Sequence, residues 1–138
     1  MLTESIFVDT GAWVALADSD DAYHHIAKGI YPALLKRYKT LFTTNLVIAE
    51  TYILLLKALG HKGALEFLEN INASPRIAKL YSTDDIENEA LTILRKYHDH
   101  DLSYTDAVSF VVMKRHETKK AFTFDNHFTV MKFTRIPE

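Results

Sequence analysis

Residues 6–11, Ile6-Phe7-Val8-Asp9-Thr10-Gly11, form a short apolar run that ends in an acid and a turn. The run is rich in β-branched residues and stops at a turn sequence, the pattern of a strand. The rest of the chain alternates in the same way. Two helical segments come next, one over 12–17 and one over about 22–38, where Ile26, Ile30, Leu34 and Tyr38 recur every four residues. Leu41-Phe42-Thr43 reads as a second strand. Asn45 is placed to cap a helix to about Leu59, with Gly60 as its stop. A helix over 62–72 closes at Ser74-Pro75, and Ile77–Tyr81 reads as a third strand. Asp84 with Glu87 has the form of a capping box, opening a helix with Ala90, Leu91, Leu94 and Tyr97 on its stripe. Ser103 with Asp106 repeats that signature before 107–116. Strands over 121–124 and 133–136 finish the chain, about five in all.

Strands separated by helical segments predict an α/β fold, with a mostly parallel sheet and helices on both faces. Right-handed crossovers bring the carboxyl ends of the strands to one edge, where such sheets bind ligands. The length of 138 residues suits one domain, 1–138. A chain of this size can bury about 68% of its unfolded surface, so it needs no disulfide or structural metal to fold. It has no cysteine, which removes thiolate metal sites and cysteine nucleophiles and suits a reducing cytoplasm. The opening segment lacks the basic start and long apolar run of a signal peptide, and no apolar stretch reaches membrane-span length. A net charge of −2 leaves no strongly basic coat for sequence-blind nucleic-acid binding.

Four acids stand out. Asp9 and Asp125 each follow a strand, whereas Glu50 and Asp106 lie early in helices that follow a break. Each has a structural alternative. Asp9 can cap the next helix, and Asp125 with Asn126 suits an ordinary turn. For Asp106 alone, the capping box is the simpler reading. Glu50 is the strongest clue: it is the only charged residue from Leu41 to Leu56. A helix apolar nearly all round is expected to be buried. A carboxylate there needs a cation, donors or a shifted pKa, and the plainer account is a salt bridge to a lysine or arginine elsewhere or a place on a solvent-facing sliver of the helix. If all four acids converge on one sheet edge, they repel one another unless cations join them. Hard oxygen donors select magnesium or manganese over zinc, and such ions support phosphodiester hydrolysis.

The segments IFVDTGAW (6–13), NLVIAET (45–51), LSYTDAVSF (102–110) and TFDNHF (123–128), in this order, resemble the four acidic motifs of the PIN domain. The resemblance covers nearly the whole chain and is nearest to the VapC-type toxin ribonucleases. It implies a three-layer α/β/α sandwich and a magnesium-dependent endoribonuclease acting on RNA. Asp9 and Asp106 match the acids nearest the metal, Glu50 the glutamate of the second motif, and Asp125 the fourth acid. Thr10 matches a hydroxyl position that orients water or phosphate. A homodimer and a small antitoxin protein are the partners it implies, although PIN ribonucleases without an antitoxin also exist.

Other features have plainer readings. His24 and His25 pack or cap, Trp13 belongs to the core, and the 98–101 His-Asp run is solvated. The basic residues between Lys114 and Lys120 complement a helix dipole. A phosphatase of the haloacid dehalogenase type needs a second aspartate where this chain has Gly11, and it leaves Glu50 without a task. A receiver domain would use Asp84 and Asp85, which a helix start explains. A non-catalytic module, binding a partner through the 45–59 helix, is the alternative from another class.

Overall fold

Ile6, Phe7 and Val8 are fully buried in the central strand of a five-stranded sheet. A strand covered on both faces has no polar side to alternate with, which explains its unbroken apolar run. The computed structural model describes residues 3–138; the first two residues of the opening segment, and of the 1–138 domain range, lie outside it. In chain order the elements are β1 (Thr3–Val8), α1 (Thr10–Ala17), α2 (His24–Arg37), β2 (Tyr38–Thr44), α3 (Asn45–Ala73) and β3 (Ile77–Leu80). They continue with α4 (Asp84–Lys96), α5 (Tyr104–Arg115), β4 (Lys120–Phe122), α6 (His127–Val130) and β5 (Thr134–Ile136).

The strands lie in the order β3-β2-β1-β4-β5, and every pairing is parallel. The chain moves outward from β1 to β3, then returns past β1 to β4 and β5. Right-handed crossovers therefore put α1, α2 and α3 on one face and α4, α5 and α6 on the other. Side-chain packing follows that division. Trp13 of α1 meets Phe67 of α3 edge-on at 6.0 Å, and Phe110 of α5 meets Phe128 of α6 at 4.9 Å. The result is the α/β/α sandwich expected. The direction of winding reverses between β1 and β4, and a crevice opens there at the strand carboxyl ends.

Local details differ from the sequence reading in instructive ways. Thr44, not Asn45, caps α3: its side chain accepts from Val47 N at 3.1 Å. Asn45 Oδ1 instead accepts from Ser82 N at 2.9 Å, tying the start of α3 to the segment after β3. Thr83, not Asp84, caps α4, leaving Asp84, Asp85 and Glu87 in the first turn, where negative charge offsets the helix dipole. The Ser103–Asp106 capping box forms as expected. Gly60 adopts φ 81°, so α3 is two helical segments joined at a residue that tolerates this conformation without a Cβ clash.

The largest difference concerns which helix is buried. Ile53, Leu54 and Leu56 of α3 are 53%, 44% and 41% exposed, so this helix shows apolar side chains to solvent. The helix enclosed nearly all round is α5, where every residue from Ala107 to Met113 is buried. Arg115, from the basic run, pairs with Asp85 at 2.7 Å and Glu89 at 3.3 Å, and so fastens α5 to α4.

Candidate active site

Asp9 leaves β1 at the point where the winding reverses. Its backbone N–H donates to Phe122 O of β4 at 3.1 Å, which holds the residue between the two strands. It occupies the N-cap position of α1, yet its side chain makes no capping bond. Asp9 Oδ2 instead accepts from the Thr123 hydroxyl at 2.9 Å. The residue is only 5% exposed. Burial, and next the neighbouring Asp106 charge, push its carboxyl up to about 7, against the opposing hydrogen bonds from Thr10 and Thr123.

Thr123 fixes a second acid as well. Its Oγ1 accepts from Asp125 N at 3.1 Å, so one fully buried hydroxyl organises acids that follow two different strands. Asp125 then turns its Oδ1 onto His127 N at 2.9 Å, the turn geometry anticipated for an Asp-Asn pair. Asp106 enters from the first turn of α5, across the crevice. Its Oδ2 accepts from Ser103 N at 3.3 Å while its own N–H donates to Ser103 Oγ at 3.0 Å. Cap and site acid are thus one residue. Burial, and then Asp125, raise its carboxyl above the usual range.

Glu50 corrects an expectation. It is half-buried rather than enclosed, because α3 leaves an apolar face open to solvent. It nevertheless lines the same open cleft, of about 600 Å³, as Asp9, Thr10, Asp106 and Asp125. Among the described residues, Glu50 forms no ion pair with a lysine or arginine, so the salt-bridge alternative finds no partner. Thr10 is 8% exposed and its Oγ1 has no hydrogen-bond partner.

Five residues of this region escaped the sequence reading as parts of a site. Thr123 and His127 stand in the TFDNHF segment with no role assigned from sequence, and Asp21, Tyr23 and Phe124 line the cleft. Tyr23 stacks on Phe124 with ring centroids 4.4 Å apart and planes 9° from parallel. Ligand atoms of Asp106, Asp125 and His127 come within 4.8 Å of one another, a spacing that can hold a metal ion. Asp9 and Glu50 lie outside that trio. A Thr123→Val variant removes a buried hydroxyl that donates to an acid. If these acids hold a metal as the PIN-domain resemblance implies, RNA cleavage should then fall about 10–100-fold, in the range found for outer-shell partners of metal ligands. Cleavage kinetics alongside thermal unfolding check this; unchanged kinetics in a folded variant would refute it.

An open α/β sheet with crowded acids at its reversal point defines a class, and comparison with known proteins supplies its family. Residues 6–134 match the PIN domain, and the chain belongs to the PIN-domain family. Within it, the chain groups with the VapC-type proteins. It is 32% identical over 131 residues to the 23S rRNA-specific endonuclease VapC20 of Mycobacterium tuberculosis (strain ATCC 25618 / H37Rv), spanning 95% of this chain and 97% of that one. It is 30% identical over 126 residues to a VapC ribonuclease of Archaeoglobus fulgidus, spanning 89% and 78% respectively. The crystal structure of VapC20, described as a Sarcin-Ricin loop cleaving toxin, superposes with a TM-score of 0.87 over 94% of this chain and 96% of that one. VapBC2 from Rickettsia felis, at 12% identity, shares the fold with a TM-score of 0.68, covering 96% and 97%.

Proposed function

We propose that the chain is a VapC-type endoribonuclease, a single domain over 1–138 that hydrolyses RNA phosphodiester bonds with magnesium. One observation carries the reading. Asp9 is an almost completely buried acid facing Asp106 and Asp125, with no lysine or arginine among the described residues to neutralise it. Such a group is unfavourable in its charged form unless a cation meets it. The four carboxylates fit a hard divalent ion, magnesium or manganese. The partnerless Thr10 hydroxyl on the same cleft also fits a site completed by ligands.

Asp9, Asp106, Asp125 and Glu50 would hold the ion. When bound, a divalent ion makes water a stronger nucleophile and stabilises the departing oxygen. The chain's own groups do the positioning. Thr123 sets the directions of Asp9 and Asp125, and Ser103 sets that of Asp106. Thr10 would orient water or a phosphate oxygen. That Asp9 makes no capping bond weighs against the non-catalytic reading, in which these acids only cap helices.

RNA incubated with the protein tests the reading. Cleavage should require magnesium, stop with EDTA, and leave 5′-phosphate and 3′-hydroxyl ends, as attack by water with departure of the 3′-oxygen gives. Cyclic phosphate ends would mean attack by the RNA's own 2′-hydroxyl and would overturn it; so would cleavage undiminished by EDTA. The VapC20 relative is named for 23S rRNA, which makes ribosomal RNA the first substrate to try.

The stacked Tyr23–Phe124 pair at the cleft offers an apolar plane for a substrate base. A Tyr23→Ala variant should raise KM about tenfold and leave kcat near that of the wild type, at roughly 1–3 kcal/mol per stacked base. An unchanged KM would place the base elsewhere. A homodimer and a small antitoxin are the proposed partners, and the exposed apolar residues of α3 supply surface for protein contact. The proposed location is the cytoplasm. Among the described residues, no helix is long and apolar enough to cross a membrane.

A further inference from the structure

His127 opens α6, two residues after Asp125. Its backbone N–H bonds to Asp125 Oδ1, and this turn carries the imidazole back over the acids. Nδ1 ends 3.0 Å from Asp125 Oδ1 and 3.9 Å from Asp106 Oδ2. The shorter distance is within hydrogen-bond reach, but the alignment is not that of a hydrogen bond, and Nδ1 remains buried without a partner. A buried polar atom left unpaired is destabilising. Thr10 Oγ1, more than nine-tenths buried on the neighbouring cleft, is a second orphan in the same region. Two such atoms beside crowded acids indicate a place that something other than protein completes.

The spacing fits an ion. Octahedral donors at about 2.0–2.2 Å from a cation lie about 3 Å apart when adjacent and about 4.2 Å apart when opposite. The two His127 separations fall at and between these values. We propose that His127 Nδ1 is a ligand of the divalent ion held by Asp106 and Asp125, and that this nitrogen donor tilts the site toward manganese over magnesium. Magnesium demands oxygen donors and strict octahedral geometry. Manganese, a first-row transition ion, gains more from an imidazole. The inference rests on the metal-site reading above and adds to it a ligand and a selectivity.

Pulsed electron paramagnetic resonance on the full-length protein, loaded with one equivalent of Mn2+, tests the proposal directly. The wild type should show the nitrogen modulation of a coordinated imidazole. His127→Asn, which offers an amide oxygen at a similar reach, should still bind Mn2+ but lose that modulation. Calorimetric titrations should show the preference for Mn2+ over Mg2+ falling about tenfold in the variant, within the span by which ligand-environment changes alter metal affinity. The wild-type signal needs no variant, so misfolding cannot obscure the answer. If Mn2+ binds but its spectrum lacks imidazole modulation, the His127 proposal fails while the acid site stands. If Mn2+ fails to bind stoichiometrically, or binds equally well to Asp106→Asn, the metal site itself fails.

Discussion

Asp9→Asn should lower the rate of RNA cleavage at saturating magnesium about a hundredfold or more, while the protein stays folded. The loss follows from what the residue faces. An asparagine in place of Asp9 would keep the size of the side chain and an oxygen for the Thr123 hydroxyl, so the 2.9 Å bond between β1 and the end of β4 can survive. What disappears is a negative charge beside Asp106 and Asp125. Charge stabilisation by a bound ion is worth several kcal/mol in the transition state, and each 1.36 kcal/mol is a factor of ten in rate. Asp106→Asn should lose activity on the same scale, although its amide oxygen can still accept from Ser103 N and its backbone N–H still donates to Ser103 Oγ, so the capping box can persist. Cleavage of a labelled RNA, with circular dichroism of each variant, provides the measurement. If Asp9→Asn cleaves as fast as the wild type, Asp9 is not part of the metal site.

The second large effect concerns pH and stability without metal. Asp9 has a carboxyl raised from 3.8 to about 7 in the folded protein. Between those values the folded state holds a proton that the unfolded state has released, so stability falls as pH rises. The decline begins near pH 4, continues to about pH 7 and then flattens. A shift of about three units corresponds to roughly 4 kcal/mol. Asp106, raised by burial and by Asp125, acts in the same direction. In EDTA, Asp9→Asn should therefore be more stable than the wild type at pH 8 by a few kcal/mol, with the difference vanishing near pH 4. Urea unfolding across that range decides it, and parallel pH profiles for the two proteins would refute the assignment. Magnesium should reverse the order, because an ion that binds the ionised acid stabilises the wild type by mass action. Its affinity should climb about tenfold per pH unit below pH 7 and level off above it.

Much of the architecture was legible because its signals are local. The apolar run of β1, the Gly60 break and the Ser103–Asp106 box each lie within a few residues, and each appears in the structure where expected. The caps at Thr44 and Thr83 moved by one residue. There the extended backbone before the helix, and not the residue type alone, chooses the cap. The apolar sequence around Glu50 implies a burial that the fold does not give it. An apolar composition shows that a helix has somewhere to pack, but not which face does so. In this chain α5, with ordinary composition, takes the enclosed position.

Taken by itself, the order of residues determined the alternation of strands and helices, the parallel sheet, and the placing of acids after β1 and β4. Periodicity, caps and turns act over single turns of chain, where backbone sterics and hydrogen bonding operate. Tertiary structure alone decided what those acids meet. The bond from Thr123 to Asp9 joins residues 114 apart, and the rise in Asp9's pKa requires burial beside Asp106 from another element. The position of His127 over Asp106 is likewise a product of packing, since the two lie on different helices. Desolvation and Coulomb repulsion depend on distance in space, and separation along the chain carries almost no record of it.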